Sequence, residues 1–205
     1  MYNNQRIIKE LKPYIPVADI FRIYEKEAGC AFLDSSLVND LGRYSIIGRA
    51  PYLKLVKDGD TFTVNGKPET GKTFEDYMRE YLNTHEDKNE CPLPIVSGAI
   101  GYFSYDYGRE QMGVPTGEKE LVTIPEAVLT FYDCFIVEDC REKRTYLVSN
   151  GITGNAPELI RSMEKEIQEN VKFDKISASE TKKKITDPVS HREKFKIQVH
   201  PNFEK

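Results

Sequence analysis

Apolar and polar residues alternate along the chain with two different periods, which predict strands and helices. A two-residue period, typical of strands, marks the segments 52–56, 61–64 and 95–109, and the mainly apolar segments 127–139 and 144–149 are predicted to be strands as well. The dipeptide Asp58-Gly59 separates the first two segments and favours a tight turn, so these segments are predicted to form a β-hairpin. The last two segments flank a short charged stretch and are predicted to pair in the same way.

Helical spacing of apolar residues predicts three helices between and after these strands. The first begins after Pro16, because proline suits the first turn of a helix. The second begins at Thr73, which forms a capping-box pattern with Asp76. The third runs from Asn155, a favourable cap, to about Val171. Hairpins combined with helices predict an α+β fold of antiparallel β-sheets flanked by helices.

The composition of the chain changes after Phe173. Residues 174–192 are rich in Lys, Ser and Thr and offer almost nothing to bury, which is typical of a linker or a flexible loop. Alternation then resumes and stops at Asn202, a helix-start signal. We therefore expect one domain over residues 1–173, followed over residues 174–205 by a linker and the start of a further domain.

Composition and charge exclude several classes of protein. The 205 residues are 39% hydrophobic and 30% charged, which is ordinary for a globular domain. Neither a long apolar run nor the apolar core of a secretory signal is present, so we expect a cytoplasmic protein without a membrane partner. The net charge of −4 argues against a nucleic-acid partner. The four scattered cysteines form no zinc-binding pairs and are predicted to be free thiols.

The familiar catalytic patterns are missing from the sequence. There is no G-x-S-x-G nucleophile elbow and no G-x-x-x-x-G-K-[ST] phosphate-binding loop. Neighbouring carboxylates such as Glu118 and Glu120 lie in a polar stretch, where solvation explains them better than acid–base chemistry. The residues alone therefore predict a non-catalytic domain that contains neither a catalytic residue nor a metal ligand.

One apolar, strand-like stretch is interrupted by small polar residues at Leu33-Asp34-Ser35-Ser36. These residues form either a turn between two strands or a pocket in which the carboxylate binds an ammonium group and the hydroxyl orients the ligand. Arg43, on the returning segment, is open to two interpretations as well. It either pairs with a structural acid such as Asp106 or faces an anionic ligand.

A second unusual stretch interleaves four aromatic residues with Ser104 and Asp106. Glycines at positions 98 and 101 indicate a bulge or a close approach of two backbones. The stretch is predicted to be a central strand with one aromatic face in the core, with a ligand-stacking surface as the alternative.

These stretches and a third one together resemble a known family. The motifs are Phe32-Leu33-Asp34-Ser35 with Gly42-Arg43-Tyr44-Ser45, then Gly98-Ala-Ile-Gly101-Tyr102 with Tyr105-Asp106 and Arg109, and finally Phe131-Tyr132-Asp133. They resemble the amino-terminal domain of component I of two chorismate-utilising enzymes, anthranilate synthase and aminodeoxychorismate (para-aminobenzoate) synthase. The last residues, Asn202 to Lys205, resemble the start of the catalytic domain in this family.

The resemblance implies an α+β amino-terminal domain with a supporting and regulatory role. The parent enzyme would add ammonia, supplied by a glutamine amidotransferase subunit, to chorismate. Its Mg²⁺ and catalytic residues would belong to a missing carboxy-terminal chorismate-binding domain. The present chain would therefore carry no cofactor and be inactive alone.

The resemblance also implies a ligand site. In anthranilate synthases the acid–serine pair of this motif helps to hold tryptophan, which carries over to Asp34 and Ser35, with Leu33 and Ser36 beside them. The pocket would be framed by Arg43, Tyr44, Ser45, Tyr105 and Asp106. Aspartate in place of the usual glutamate, and the second motif, favour the aminodeoxychorismate (folate) branch over the anthranilate (tryptophan) branch. A free-standing amino-acid sensor and an amidotransferase-docking scaffold are the alternatives.

Overall fold

The computed structural model describes residues 6–39, 41–114 and 124–182, and these form an α+β fold. The strands are β1 (Ile7–Leu11), β2 (Ala31–Leu33), β3 (Tyr44–Asp58), β4 (Thr61–Val64), β5 (Lys67–Glu69), β6 (Ala99–Phe103), β7 (Ala127–Asp139) and β8 (Arg144–Ser149). The helices are α1 (Val17–Tyr24), α2 (Phe74–Thr84), α3 (Tyr105–Gln111) and α4 (Ala156–Lys182). The predicted fold class is confirmed.

The chain divides into two compact units, Met1–Val171 and Lys172–Lys205. The first unit contains the whole described sheet. Of the second unit, the structure describes the backbone of residues 172–182, which is helical.

All strand pairs in the described sheet are antiparallel, and β7 lies at its centre. One side of β7 pairs with β3 over nearly its whole length. Its other side pairs first with β6, over Ala127–Phe131, and then with β8, over Cys134–Asp139. Strand β1 pairs with β8 and forms one edge of the sheet. On the other side, β4 follows β3 and β5 follows β4. Strand β2 pairs with β3 separately from this order.

The sheet is covered on both faces, which explains the nearly continuous apolar sequence of β7. Cys134 and Ile136 point to one face, where they pack with apolar residues of α1 and α4. Phe135 and Val137 point to the other face and pack with residues of the loop that precedes β6. A separate cluster around Phe74 holds α2 against the far end of the sheet.

The predicted hairpins are confirmed, as are the starts of the three predicted helices. In the first hairpin Asp58 pairs with Thr61, so the turn consists of the two residues between them. The Thr73 side chain accepts a hydrogen bond from the Asp76 backbone N–H, as the capping pattern requires. All four cysteines are free thiols.

Of the predicted strand over residues 95–109, only Ala99–Phe103 is a strand, and the prediction is wrong before and after it. Helix α3 begins at Tyr105, because the Ser104 hydroxyl caps it by accepting a hydrogen bond from the Tyr107 N–H at 3.1 Å. The remaining strand, β6, is not central either. It pairs with β7 alone, and the side chains of Tyr102 and Phe103 are exposed.

The predicted end of the last helix near Val171 is also wrong, because α4 continues to Lys182. The helix therefore includes residues 174–182, which the composition predicted to be a linker. The sequence has neither glycine nor proline between Pro157 and Pro188, so no local signal stops the helix there. The rest of the predicted linker, the polar stretch with Glu118 and Glu120, and the segment Asn202 to Lys205 lie outside the described residues.

Candidate functional site

The interrupted stretch lies at the end of the sheet where β2 ends, β3 begins and β7 ends. Strand β2 pairs with β3 up to the match of Leu33 with Ile46. Tyr44, at the start of β3, is paired with Asp139, the last residue of β7. The short segment between Leu33 and Tyr44 therefore sits above the ends of three strands.

Ser45 is the centre of a polar cluster at this end of the sheet. Its side chain is buried, and its hydroxyl donates to a carboxylate oxygen of Asp34 at 3.2 Å. The same hydroxyl oxygen accepts the backbone N–H of Ser35 at 2.9 Å, and the Ser35 hydroxyl donates to the Tyr44 carbonyl at 2.6 Å. These bonds tie the polar turn to the start of β3.

Asp34 and Ser35 therefore form a turn between two strands, and the Asp34 carboxylate remains accessible to solvent. Asp34 and Ser36 are exposed, Ser35 is half-buried, and Leu33 is 49% exposed. A carboxylate that is held by one hydrogen bond and faces solvent can still pair with an ammonium group. The cluster positions Asp34 and leaves its carboxylate able to bind a ligand.

Arg43 is held at the same end of the sheet by Asp139. Its guanidinium donates to one carboxylate oxygen of Asp139 from Nη2 at 2.5 Å and from Nε at 3.0 Å. The interpretation of Arg43 as the partner of a structural acid is confirmed, but the acid is Asp139, and the example Asp106 is wrong because it forms an ion pair with Arg109 at 3.0 Å. Only a long-range contact could have revealed the true partner, since β7 brings Asp139 here from 96 residues away.

This ion pair predicts a pH-dependent stability. Hydrogen bonds from Arg43 and from two backbone N–H groups, at residues 141 and 142, hold the pKa of Asp139 below its ordinary value. Stability from this carboxylate is present above its unfolded pKa and is lost as the pH falls through its folded pKa. We expect the free energy of unfolding of Asp139→Asn to depend less on pH than wild type between about pH 5 and pH 2, measured by urea titration. Equal slopes for the two proteins would contradict this account.

Two residues predicted to frame the site lie elsewhere. Tyr105 and Asp106 directly follow β6, whose last residue Phe103 pairs with Ala127 at the start of β7. The polar cluster lies at the other end of this 13-residue strand, about 40 Å away along its length. The structure brings together the predicted residues from Leu33 to Ser45 but not Tyr105 and Asp106.

An apolar rim beside the cluster was missed by the sequence reasoning. Leu37 is 73% exposed, Val38 is 49% exposed and Leu41 is 99% exposed. The sequence could have indicated this rim, because Leu37, Val38 and Leu41 lie among polar residues in a segment that is too short to form a buried helix. Gly42 closes this segment, since a Cβ there would approach the Leu37 carbonyl oxygen to 2.4 Å.

The cluster is an open surface rather than a cavity. Grooves of about 750 and 580 Å³ lie on other parts of the sheet, at the turn between β3 and β4 and at the end of α2. Neither groove contains Asp34 or Ser35. A small molecule bound at Asp34 would therefore need a second wall to exclude water.

The fold and the motifs agree with comparisons to known proteins. Anthranilate synthase alpha subunit 2, chloroplastic, from Arabidopsis thaliana is 30% identical over 122 residues, which cover 54% of this chain and 20% of that protein. Anthranilate synthase component 1 from Acetivibrio thermocellus is 26% identical over 149 residues, which cover 66% of this chain and 29% of that protein. Parts of the chain are thus similar in sequence to component I of anthranilate synthase.

A solved structure supports the fold of this family. Anthranilate synthase component I from Streptococcus pneumoniae TIGR4 superposes with a TM-score of 0.53 at 19% identity, over 82% of this chain and 37% of that one. The predicted resemblance to the amino-terminal domain of this family is confirmed. No family model matches the sequence. The chain spans between 20% and 29% of the length of the two sequence relatives named above.

The relatives do not support every detail predicted from the motifs. All of those named here are anthranilate synthases, so the preference for the aminodeoxychorismate branch receives no support.

Within the described ranges, no group of three or more acidic, histidine or cysteine side chains is arranged to hold a metal ion. None of the helices in the described part of the chain is long and apolar enough to cross a membrane.

Proposed function

We propose that the chain is a non-catalytic amino-terminal domain of a component I that aminates chorismate, where it supports the catalytic region and presents a regulatory site. The observation that carries the proposal is the polar cluster around Ser45. It is built by motif residues, is rigidly tied to the sheet and keeps Asp34 exposed beside an apolar rim. This combination suits an amino acid with a large apolar side chain.

Each part of the cluster has a role in this proposal. The Asp34 carboxylate pairs with the ligand's ammonium group, and the Ser35 hydroxyl oxygen is available as an acceptor beside it. The apolar side chains of Leu33 and Leu37 provide a surface for the ligand's side chain. The second wall would come from the catalytic region, so that ligand binding and catalysis are coupled.

The remaining partners follow from the same proposal. A glutamine amidotransferase subunit would supply ammonia, and the catalytic region would hold Mg²⁺ and chorismate. The relatives favour anthranilate as the product, whereas Asp34 in place of glutamate favours aminodeoxychorismate. The cytoplasmic location inferred from the sequence remains a prediction.

We expect the isolated chain to bind L-tryptophan weakly, with Kd above about 1 mM, because one open wall leaves most of the ligand in water. Nuclear magnetic resonance titration should shift the amide signals of Ser35 and Ser45. Asp34→Ala should abolish these shifts because it removes the partner of the ammonium group. The matched control is Asp106→Ala, the same change at the other end of β7, which should leave the shifts unchanged.

Two results would contradict the proposal in different ways. Shifts that survive Asp34→Ala would show that the ligand does not use this carboxylate. Micromolar binding that is abolished by Asp34→Ala would show that the chain forms a complete pocket alone. That second result would favour a free-standing amino-acid sensor over a domain that needs a second wall.

A further inference from the structure

Strand β6 has an open edge in the part of the chain that the structure describes. It pairs with β7 on one side and with no other described strand. One backbone hydrogen bond lies just beyond each end of the β6–β7 pairing. The Ser104 N–H donates to the Glu126 carbonyl at 2.7 Å, and the Tyr132 N–H donates to the Gly98 carbonyl at 3.2 Å. Since bonded pairs alternate in antiparallel sheets, Ala99, Gly101 and Phe103 direct their backbone groups away from β7.

The other open edges of the described sheet carry features that discourage pairing with another chain. Strand β1 carries Lys9 and Glu10. Strand β5 consists of Lys-Pro-Glu, and its proline has no N–H to donate. Strand β2 is only three residues long, and its Phe32 is stacked against Phe21 at 4.7 Å.

Strand β6 is longer than β2 and β5 and lacks the charges and the proline of the other edges. Its sequence, Ala-Ile-Gly-Tyr-Phe, has neither charge nor proline. Tyr102 is 40% exposed and Phe103 is 47% exposed, so the edge adjoins apolar surface that is open to solvent. An uncharged edge of this kind is a template for one more strand.

We propose that this strand is β6 of a second copy of the chain, paired antiparallel across a two-fold axis at Gly101. In this register Gly101 faces Gly101 of the second copy, and Ala99 of each copy faces Phe103 of the other, so that all three bonded pairs use the outward backbone groups. Ile100 faces Tyr102 of the second copy, an aromatic and β-branched pair that stabilises sheets. Each large side chain thus meets a smaller one, and no like charges meet.

The size of this contact sets the expected affinity. Five paired residues bury less than the roughly 1,200 Å² of a stable protein interface. We therefore expect a weak dimer, with Kd on the order of 100 µM. This proposal does not depend on the proposed function, because it uses neither Asp34 nor any ligand.

Sedimentation equilibrium over a concentration series tests the dimer. The average mass of wild type should rise from 23.6 kDa towards twice that value. Tyr102→Lys places a charge on the edge, and Ala99→Pro removes an outward N–H, so each should weaken dimerisation at least about tenfold. Ile8→Lys, the same charge change on the already protected edge of β1, is the control and should dimerise like wild type.

Amide hydrogen exchange then identifies the paired edge. At about 1 mM the Gly101 and Phe103 amides should exchange about fivefold more slowly than at low concentration, because about a fifth of the chains stay monomeric at this Kd, whereas those of Ile100 and Tyr102 should not change. A wild type that stays monomeric at about 1 mM would overturn the proposal. A dimer that Tyr102→Lys leaves intact, or one without slowed exchange at Gly101, would overturn it as well.

Discussion

Asp133→Ala should lower the free energy of unfolding by about 3 kcal/mol, because it removes a buried carboxylate that accepts three hydrogen bonds. The Asp133 side chain is fully buried. One carboxylate oxygen accepts the backbone N–H of Asn150 at 2.9 Å, and the other accepts both the N–H and the hydroxyl of Thr153 at 2.6 Å. The carboxylate thus joins β7 to the loop that leads from β8 into α4.

The matched variant for this position is Asp133→Asn, which keeps the shape and one acceptor oxygen. It should lose less stability than Asp133→Ala, because the amide oxygen can still accept from one side of the loop. Urea unfolding followed by circular dichroism measures both variants. A loss below about 1 kcal/mol for Asp133→Ala would contradict a structural role for the third motif.

Gly101→Ala should have an effect of similar size, about 3 kcal/mol, through a different cause. A Cβ at position 101 would lie 1.8 Å from the Val128 carbonyl oxygen and 2.9 Å from the Leu129 Cα. Both atoms belong to the backbone of β7, so they cannot move aside as the end of a side chain could. We expect β6 to separate from β7 along part of its length.

Gly108→Ala is the control for this prediction. Gly108 lies in α3, and a Cβ there meets nothing within 4 Å. Alanine should therefore be neutral or stabilise the helix by up to about 1 kcal/mol. Thermal unfolding distinguishes the two variants, and equal transition temperatures would contradict the close approach of β6 and β7.

The elements predicted correctly are those that depend on local signals. The turn dipeptide at Asp58-Gly59, the cap at Thr73 and the apolar run of β7 each specify their structure within a few residues. Helix α3 was missed because its cap, Ser104, stands within an alternation of aromatic residues that is typical of a strand. A two-residue period can thus hide a helix that is only seven residues long.

The candidate site was predictable in its residues but not in its partners. Asp34, Ser35 and Ser45 are close in sequence, and one strand pairing brings them together. The partner of Arg43 and the distance to Asp106 depend on the course of β7, which no local pattern specifies. Of the two glycines that predicted a bulge or a close backbone approach, Gly101 makes such an approach to β7, whereas a Cβ at Gly98 would meet only the Ile95 side chain at 4.0 Å.

We propose that this chain is a supporting domain that does not itself catalyse chorismate amination. The most direct measurement incubates the purified chain with chorismate, ammonia and Mg²⁺ and follows anthranilate and aminodeoxychorismate by mass spectrometry. The account predicts that neither product forms faster than without protein. Formation of either product at a rate proportional to the concentration of the chain would contradict it.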